Sequence, residues 1–148
     1  MSGPSRLRLQ ILDPDLAPPV RAHDDDAGLD LRARHDAVLE PGQRVAMPTG
    51  VAVAVPPGHG GLVLPRSGLA RRHGVTLANS PGLIDSGYRG EVIAVLVNLD
   101  PVQAYTVRRG ERIAQLVVVP VVGGEIDVVD DLGDTRRGGE GFGSSGRD

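Results

Sequence analysis

The sequence has no cysteine, no tryptophan and no lysine, so all 16 basic residues are arginine. Without cysteine there are no disulfides, thiolate metal ligands, cysteine nucleophiles or CxxC redox pairs. Without lysine, a Walker A phosphate loop and Schiff-base chemistry are both excluded. Aromatic residues are scarce at 2%, with two tyrosines and one phenylalanine. No strictly apolar run exceeds about seven or eight residues, far short of the ~20 that a membrane helix needs. The opening segment MSGPSRLRLQ shows no signal-peptide apolar core, and the expectation is a soluble, cytoplasmic protein with no membrane partner. The four histidines, at positions 23, 35, 59 and 73, form no HxxxH or HExxH pair. His23 runs into three aspartates, which read as a solvated acidic loop, and no zinc site is assigned.

What is present is 148 residues, enough for one domain with a single core. Gly is 21 and Pro is 12, together 33, which argues for many turns and against long helices. The net charge of -3 is poor for a partner such as duplex DNA, though a local arginine cluster can still grip a small anion. Leu7, Leu9 and Ile11 alternate with Arg8 and Gln10, a period-2 strand pattern. Further short β-favouring runs cover 28–33, 37–40, 43–47, 51–55, 62–64, 75–79, 92–99, 104–107, 112–119 and 125–129, broken by Gly, Pro, Asn and Asp. Such spacing predicts an all-β sandwich, jelly roll or barrel. Only 66–72 has the composition for a turn or two of helix. The runs at 92–99 and 113–119 are apolar but for Asn98 and Gln115 and do not alternate, as in a strand covered on both faces, either by the sandwich or by another subunit. From about residue 131 the chain turns polar and Gly-rich, so 1–130 reads as the β domain and 131–148 as an arm or a disordered tail.

Three segments carry candidate chemistry. Arg66-Ser67-Gly68 follows Pro65 at a strand end. With no His in the same motif and no GxSxG elbow, Ser67 is not read as a nucleophile. The segment reads either as a helix cap or as a phosphate grip of backbone N–H groups, a hydroxyl and an arginine fork. Asp85-Ser86-Gly87-Tyr88 has the composition of a hairpin turn. Yet Tyr88 and Phe142 place two of the three aromatic rings outside strands, where a protein stacks flat rings on a sugar or base. The tail holds GxGxxG at Gly141, Gly143 and Gly146, without the strand, helix and distant acidic residue of a dinucleotide site.

In order along the chain stand AGLDL at 27–31, PRSGLA at 65–70, GLIDSGYRGE at 82–91, RGERIAQL at 109–116 and RGGEGFGSSG at 137–146. These five segments resemble the five motifs of the trimeric dUTP pyrophosphatase (dUTPase) family and span nearly the whole sequence. One departure is Ser145, where threonine is common; the hydroxyl is kept.

The resemblance implies a jelly-roll-like distorted barrel of the β-clip type. It implies a homotrimer whose C-terminal arm crosses to a neighbouring subunit. The implied reaction is hydrolysis of dUTP to dUMP and pyrophosphate by water attack on the α-phosphorus, the chemistry of a dUTP diphosphatase. That reaction keeps uracil out of DNA and supplies dUMP for thymidylate synthesis. By the same resemblance Asp85 is the general base. Asn79, Leu83, Ile84 and Ile93 form the uracil pocket on a hairpin, and Tyr88 packs on deoxyribose. Arg66, Ser67, Gly68 and Gln115 hold phosphates. Arg137, Gly143, Ser144 and Ser145 close on the γ-phosphate, and Phe142 covers uracil. Asp30 places Mg²⁺, the implied cofactor, through water. Two other readings stand beside this one: a related dCTP deaminase, and a nucleotide sensor of the same fold without turnover.

Overall fold

The structure, a computed structural model, describes residues 6–146. The first five positions, which open the segment read as free of a leader, and the last two of the arm lie outside the described residues. Among the described residues ten strands and one helix occur in this order: β1 (Arg8–Ile11), β2 (Leu29–Arg32), β3 (Ala37–Leu39), β4 (Arg44–Ala54), β5 (His59–Pro65), α1 (Ser67–His73), β6 (Val75–Leu77), β7 (Gly82–Ile84), β8 (Glu91–Asn98), β9 (Tyr105–Val107) and β10 (Arg112–Pro120). They form a four-stranded sheet β1-β4-β8-β6, a four-stranded sheet β2-β10-β5-β7 and a two-stranded ribbon β3-β9. Every pairing is antiparallel. The all-β expectation is met. Among the described residues no helix is long and apolar enough to cross a membrane.

The two large sheets enclose one core. Leu31, Leu39, Met47, Leu96, Ile113 and Leu116 are the largest wholly buried apolar side chains, each contributing about 1.5–3 kcal/mol of transfer free energy. In β8 the apolar run resolves into two faces. Val92, Ala94, Leu96 and Asn98 are buried, while Ile93 is exposed and Val95 and Val97 are half-buried. The outer face is therefore largely apolar and only partly covered within one chain.

The structure departs from the sequence reading in four places. The runs 43–47 and 51–55 join into β4, because residues 48–52 make a bulge in place of a turn. Gly50 at the bulge has φ 74°, a left-handed conformation that L side chains rarely adopt. β7 is a strand that the sequence pattern does not mark. It pairs with β5 in one sheet, while β8 pairs with β4 and β6 in the other. Residues 85–90 thus cross between sheets and do not close a ladder of β7 with β8. Last, 125–129 carries no strand: Ile126 and Val128 are exposed, and no strand among the described residues pairs with them.

α1 has its N-cap position at Arg66, in extended conformation and without a side-chain cap bond. The cap reading of the Arg66–Gly68 segment is thereby weakened. Gly74 ends the helix at φ 66°, and a Cβ there would lie 2.8 Å from the Asp100 amide nitrogen. His73 packs on Tyr105 with ring centroids 4.8 Å apart, fixing the helix to β9. Burial, and then its hydrogen bond to Glu111, pushes the Tyr105 hydroxyl up to about 12, so it remains a proton donor.

Two polar anchors hold the loops to this core. Asn98 is wholly buried. Its amide nitrogen donates to the Leu39 and Gln103 carbonyls at 3.0 and 2.8 Å, and its oxygen accepts from the Asp100 amide at 2.9 Å. Asp13 receives both arms of the Arg109 guanidinium at 2.7 and 3.0 Å and Nε of Arg34 at 3.2 Å. The Arg109 hydrogen bond, reinforced by Arg34 and opposed by partial burial, lowers the Asp13 carboxyl to about 2.

Each anchor carries an expectation. Asn98→Leu leaves the buried Leu39 carbonyl and the partly buried Gln103 carbonyl without their donor and is expected to destabilise the protein by about 1–3 kcal/mol, measured by denaturant unfolding of the same oligomeric species. Asp13 is held below its unfolded value of 3.8. Its ionised form therefore adds stability that is full above that value and lost as pH falls toward the folded one. The melting temperature of the wild type is expected to fall more steeply between pH 4 and pH 2, the interval those two pKa values bracket, than that of Asp13→Asn. Parallel curves would show that the pair contributes nothing.

Candidate active site

A cavity of about 290 Å³ opens between the two large sheets where β7 leads toward β8. It is lined by Asn79, Leu83, Ile84, Asp85, Tyr88 and Ile93, six residues singled out from the sequence, and also by Val63, Gly82, Glu91, Val92 and Val95. The apolar outer face of β8 is thus partly explained: Ile93 and Val95 are cavity wall. β7 is the edge of its sheet. One row of its backbone N–H and C=O groups is consequently free of ladder bonds and available to a ligand. Leu83 is largely exposed at 69%. At Gly82 a Cβ would sit 3.2 Å from the Asn79 side-chain nitrogen, a tight contact that a glycine avoids.

The turn after β7 closes through the Tyr88 amide, which donates to the Asp85 carbonyl at 3.1 Å. Arg89 braces it by donating to the carbonyls of Ser86 and Tyr88 at 2.7 and 2.8 Å. The Tyr88 hydroxyl donates to the Glu91 carbonyl at 2.9 Å, and its ring lies where a side chain on Gly90 would collide with it. The RG pair after Tyr88 therefore serves the placement of that ring.

A second cavity, about 300 Å³, lies at the other end of the second sheet. Its lining includes Gly28, Asp30, Arg66, Ser67, Gly68, Arg112 and Gln115. Gln115 faces Asp30 across the β2–β10 ladder and donates to the Pro65 carbonyl at 3.0 Å. A Cβ on Gly28 would come within 2.6 Å of the Gln115 side-chain oxygen, which accounts for the small residue there. The Asp30 carboxylate bridges two cations, Arg66 Nε at 3.5 Å and Arg112 Nη1 at 3.2 Å. Arg66 also donates to the Arg112 carbonyl at 3.2 Å. Next to this cavity, Arg71 and Arg72 flank Ser67 and Gly68. The cluster can bind an anion of several charges.

Arg71, Arg72, Arg112 and Glu91 were missed by sequence reasoning. The run RSGLARR and the RGER segment held the signal for the arginines, as charges beside a phosphate-grip pattern. Arg137, Phe142, Gly143, Ser144 and Ser145 line neither cavity. The arm is exposed, with its own turns from Gly141 to Ser144 and from Gly143 to Gly146, and Phe142 has φ 53°.

No residue lines both cavities. Ile84 pairs with Gly61, and Asp85 lies one step beyond, whereas Arg66 comes after the opposite end of β5. Gly61 to Arg66 is five residues, about 17 Å at strand rise. Within one chain the Asp85 carboxylate and the arginine cluster lie in separate cavities toward opposite ends of β5.

The model of the family described as dUTPase matches residues 16–146. The chain is 51% identical, over 99% of its length and 89% of the relative's, to the deoxyuridine 5'-triphosphate nucleotidohydrolase of Rhodococcus erythropolis. A solved variant of the Staphylococcus bacteriophage 80alpha dUTPase with dUpNHpp has a TM-score of 0.89 at 30% identity, covering 96% of this chain and 99% of that one. A variant of the dUTPase from phage phi11 of S. aureus, described as revealing the coordination of a structural Mg(II) ion, has a TM-score of 0.79 at 27% identity, covering 86% and 98%. Family model, relatives and fold agree, and the chain belongs to the dUTPase family.

Proposed function

We propose that this dUTPase hydrolyses dUTP to dUMP and pyrophosphate by water attack on the α-phosphorus, in a homotrimer whose sites each join the base cavity of one subunit to the arginine cavity of another. The observation that carries the shared site is the separation along β5. A general base must reach its water, and the water its phosphorus, within about 3 Å steps, and only a second copy brings Arg66 that near to Asp85. The partly covered apolar face of β8 and the exposed arm are in keeping with subunit contacts. A cytoplasmic location suits a chain of this composition.

In this reading Asp85 is the base: an ordinary carboxylate is ionised at neutral pH and orients the water in line. The open edge of β7, at Leu83 and Ile84, reads the donor and acceptor pattern of uracil together with Asn79. Cytosine presents the wrong pattern and leaves buried groups unpaired, at about 1–3 kcal/mol each. Tyr88 packs on deoxyribose and leaves no room for a 2′-hydroxyl, while Ile93 closes the pocket wall. Arg66, the Ser67 and Gly68 amides, and Gln115 grip the phosphates. The arm closes over the substrate, with Phe142 on uracil and Arg137, Gly143, Ser144 and Ser145 on the γ-phosphate.

The donor set fits Mg²⁺ of one kind. Among the described residues no three acidic, histidine or cysteine side chains converge. A protein cage is thus not built, but Asp30 offers a hard oxygen in the phosphate cavity. Mg²⁺ bound mainly by the triphosphate, with Asp30 reached through retained water, matches that set. Once bound, the ion supplies charge neutralisation at the phosphates. Asp30 meanwhile holds Arg66 and Arg112 in place through its two ion pairs.

Pyrophosphate release from dUTP, run beside dTTP, dCTP and UTP, tests the reaction. The expectation is turnover of dUTP alone, with Asp85→Asn slower by at least ~100-fold, the lower range for a lost general base. Ammonia from dCTP would favour a deaminase, and tight dUTP binding without release would favour a sensor. Removal of residues 132–148 is expected to leave a folded trimer with little activity. Wild-type turnover in that truncation would refute the lid role of the arm.

A further inference from the structure

The start of β8 is held in an unusual way. Pairing with β4 is regular from Arg44–Val97 to Pro48–Ile93, then skips to Ala52–Glu91. Across that gap Glu91 and Val92, both in the base cavity, are held by the bulge. The Thr49 hydroxyl donates to the Val92 carbonyl at 2.6 Å, and the Gly50 amide donates to the Glu91 carboxylate at 2.8 Å. The remaining hold is Arg34, whose Nη1 donates to both Glu91 carboxylate oxygens at 3.0 and 3.2 Å.

Arg34 is itself fixed on several sides. Its Nε donates to Asp13 at 3.2 Å and Nη2 to the Leu12 carbonyl at 3.4 Å. Its amide donates to the Pro48 carbonyl at 2.9 Å, at the near edge of the bulge. Asp13 is in turn clamped by Arg109. Gly50 cannot be enlarged without reaching Asp13, whose Cβ would be 3.0 Å away, so loop, bulge and ion pairs are packed as one unit. The carbonyl of the same Glu91 accepts the Tyr88 hydroxyl. The chain of contacts runs Arg109, Asp13, Arg34, Glu91, Tyr88. Arg34 and Glu91 are each partly shielded, with side chains 34% and 22% exposed, so the pair is screened only in part.

We propose that Arg34 is a positioning residue for the nucleotide pocket: through Glu91 it fixes the first residues of β8 and the seat of Tyr88, and thereby sets discrimination against a ribose. This rests on the dUTPase reading and on Tyr88 as the sugar platform. Arg34 touches no substrate; it acts by restricting where Glu91 and Tyr88 sit.

Arg34→Ala and Arg34→Lys test this by steady-state hydrolysis of dUTP and UTP, with backbone hydrogen exchange read in the same proteins. For Arg34→Ala, kcat is expected to stay near wild type. KM for dUTP is expected to rise, and the dUTP-to-UTP ratio of kcat/KM to fall, each by about tenfold, less than the ~100-fold cost of a full ångström of misplacement. Exchange over residues 88–93 is expected to quicken while 112–117 keeps its protection. Arg34→Lys, which keeps the charge but not the two-way fork, is expected to fall between. Lowered thermal stability with an unchanged ratio and unchanged exchange at 88–93 would overturn the proposal. Should the wild type fail to hydrolyse dUTP, the dUTPase reading falls, and exchange at 88–93 alone then decides the role of Arg34.

Discussion

The position of β5 governs how this fold can work. It runs between β10 and β7, with the arginine cavity past its C-terminal end and the turn of Asp85 past its N-terminal end. Antiparallel pairing makes this unavoidable: β7 runs back along β5, so the chain leaves β7 and β5 at opposite ends of the sheet. A single chain therefore holds two separate cavities, one along the edge of β7 and one lined by arginines, which the proposed function reads as two half-sites. On the proposed reading assembly is part of catalysis, and the partly covered apolar outer surface of β8 and the exposed arm are in keeping with that requirement.

Each half-site uses a different device. The base cavity depends on backbone: an edge strand with free polar groups, a turn braced by Arg89, and a bulge that replaces regular pairing where the cavity wall begins. The phosphate cavity depends on charge. Arg66 and Arg112 share the Asp30 carboxylate, which keeps two like charges close before substrate arrives. These are partly exposed pairs, and each adds little to folding in isolation. Their contribution is to orientation, which transition-state stabilisation rewards far more than stability does.

Much of the fold was legible because period-2 patterns and Gly/Pro breaks mark most strands. Arg8–Ile11, Leu29–Arg32, Ala37–Leu39 and Tyr105–Val107 fall within or at the expected runs. The failures have physical causes. Pro48 and Gly50 look like a turn in sequence, yet their segment is held as a bulge by bonds to distant Val92 and Glu91, which no local pattern encodes. β7 begins on Gly82 directly after Pro81, so its three residues read as part of a Gly- and Pro-marked turn. The alternation at 125–129 is real, but a strand needs a partner, and no strand among the described residues pairs with it. At the site, Asn79, Leu83, Ile84, Asp85, Tyr88 and Ile93, each singled out from the sequence, line one cavity. The Arg34–Glu91 contact was invisible because it joins residues 57 positions apart.

The account turns on sites completed between subunits, and subunit mixing tests that most directly. Asp85→Asn and Arg66→Ala chains, each inactive alone, are co-refolded in equal amounts and assayed for pyrophosphate release from dUTP. Every mixed trimer then contains one site with both native groups, so activity should recover to about a quarter of wild type under random threefold assembly. Mixed trimers as inactive as either parent would contradict the account, because they would place Asp85 and Arg66 in the same chain's site.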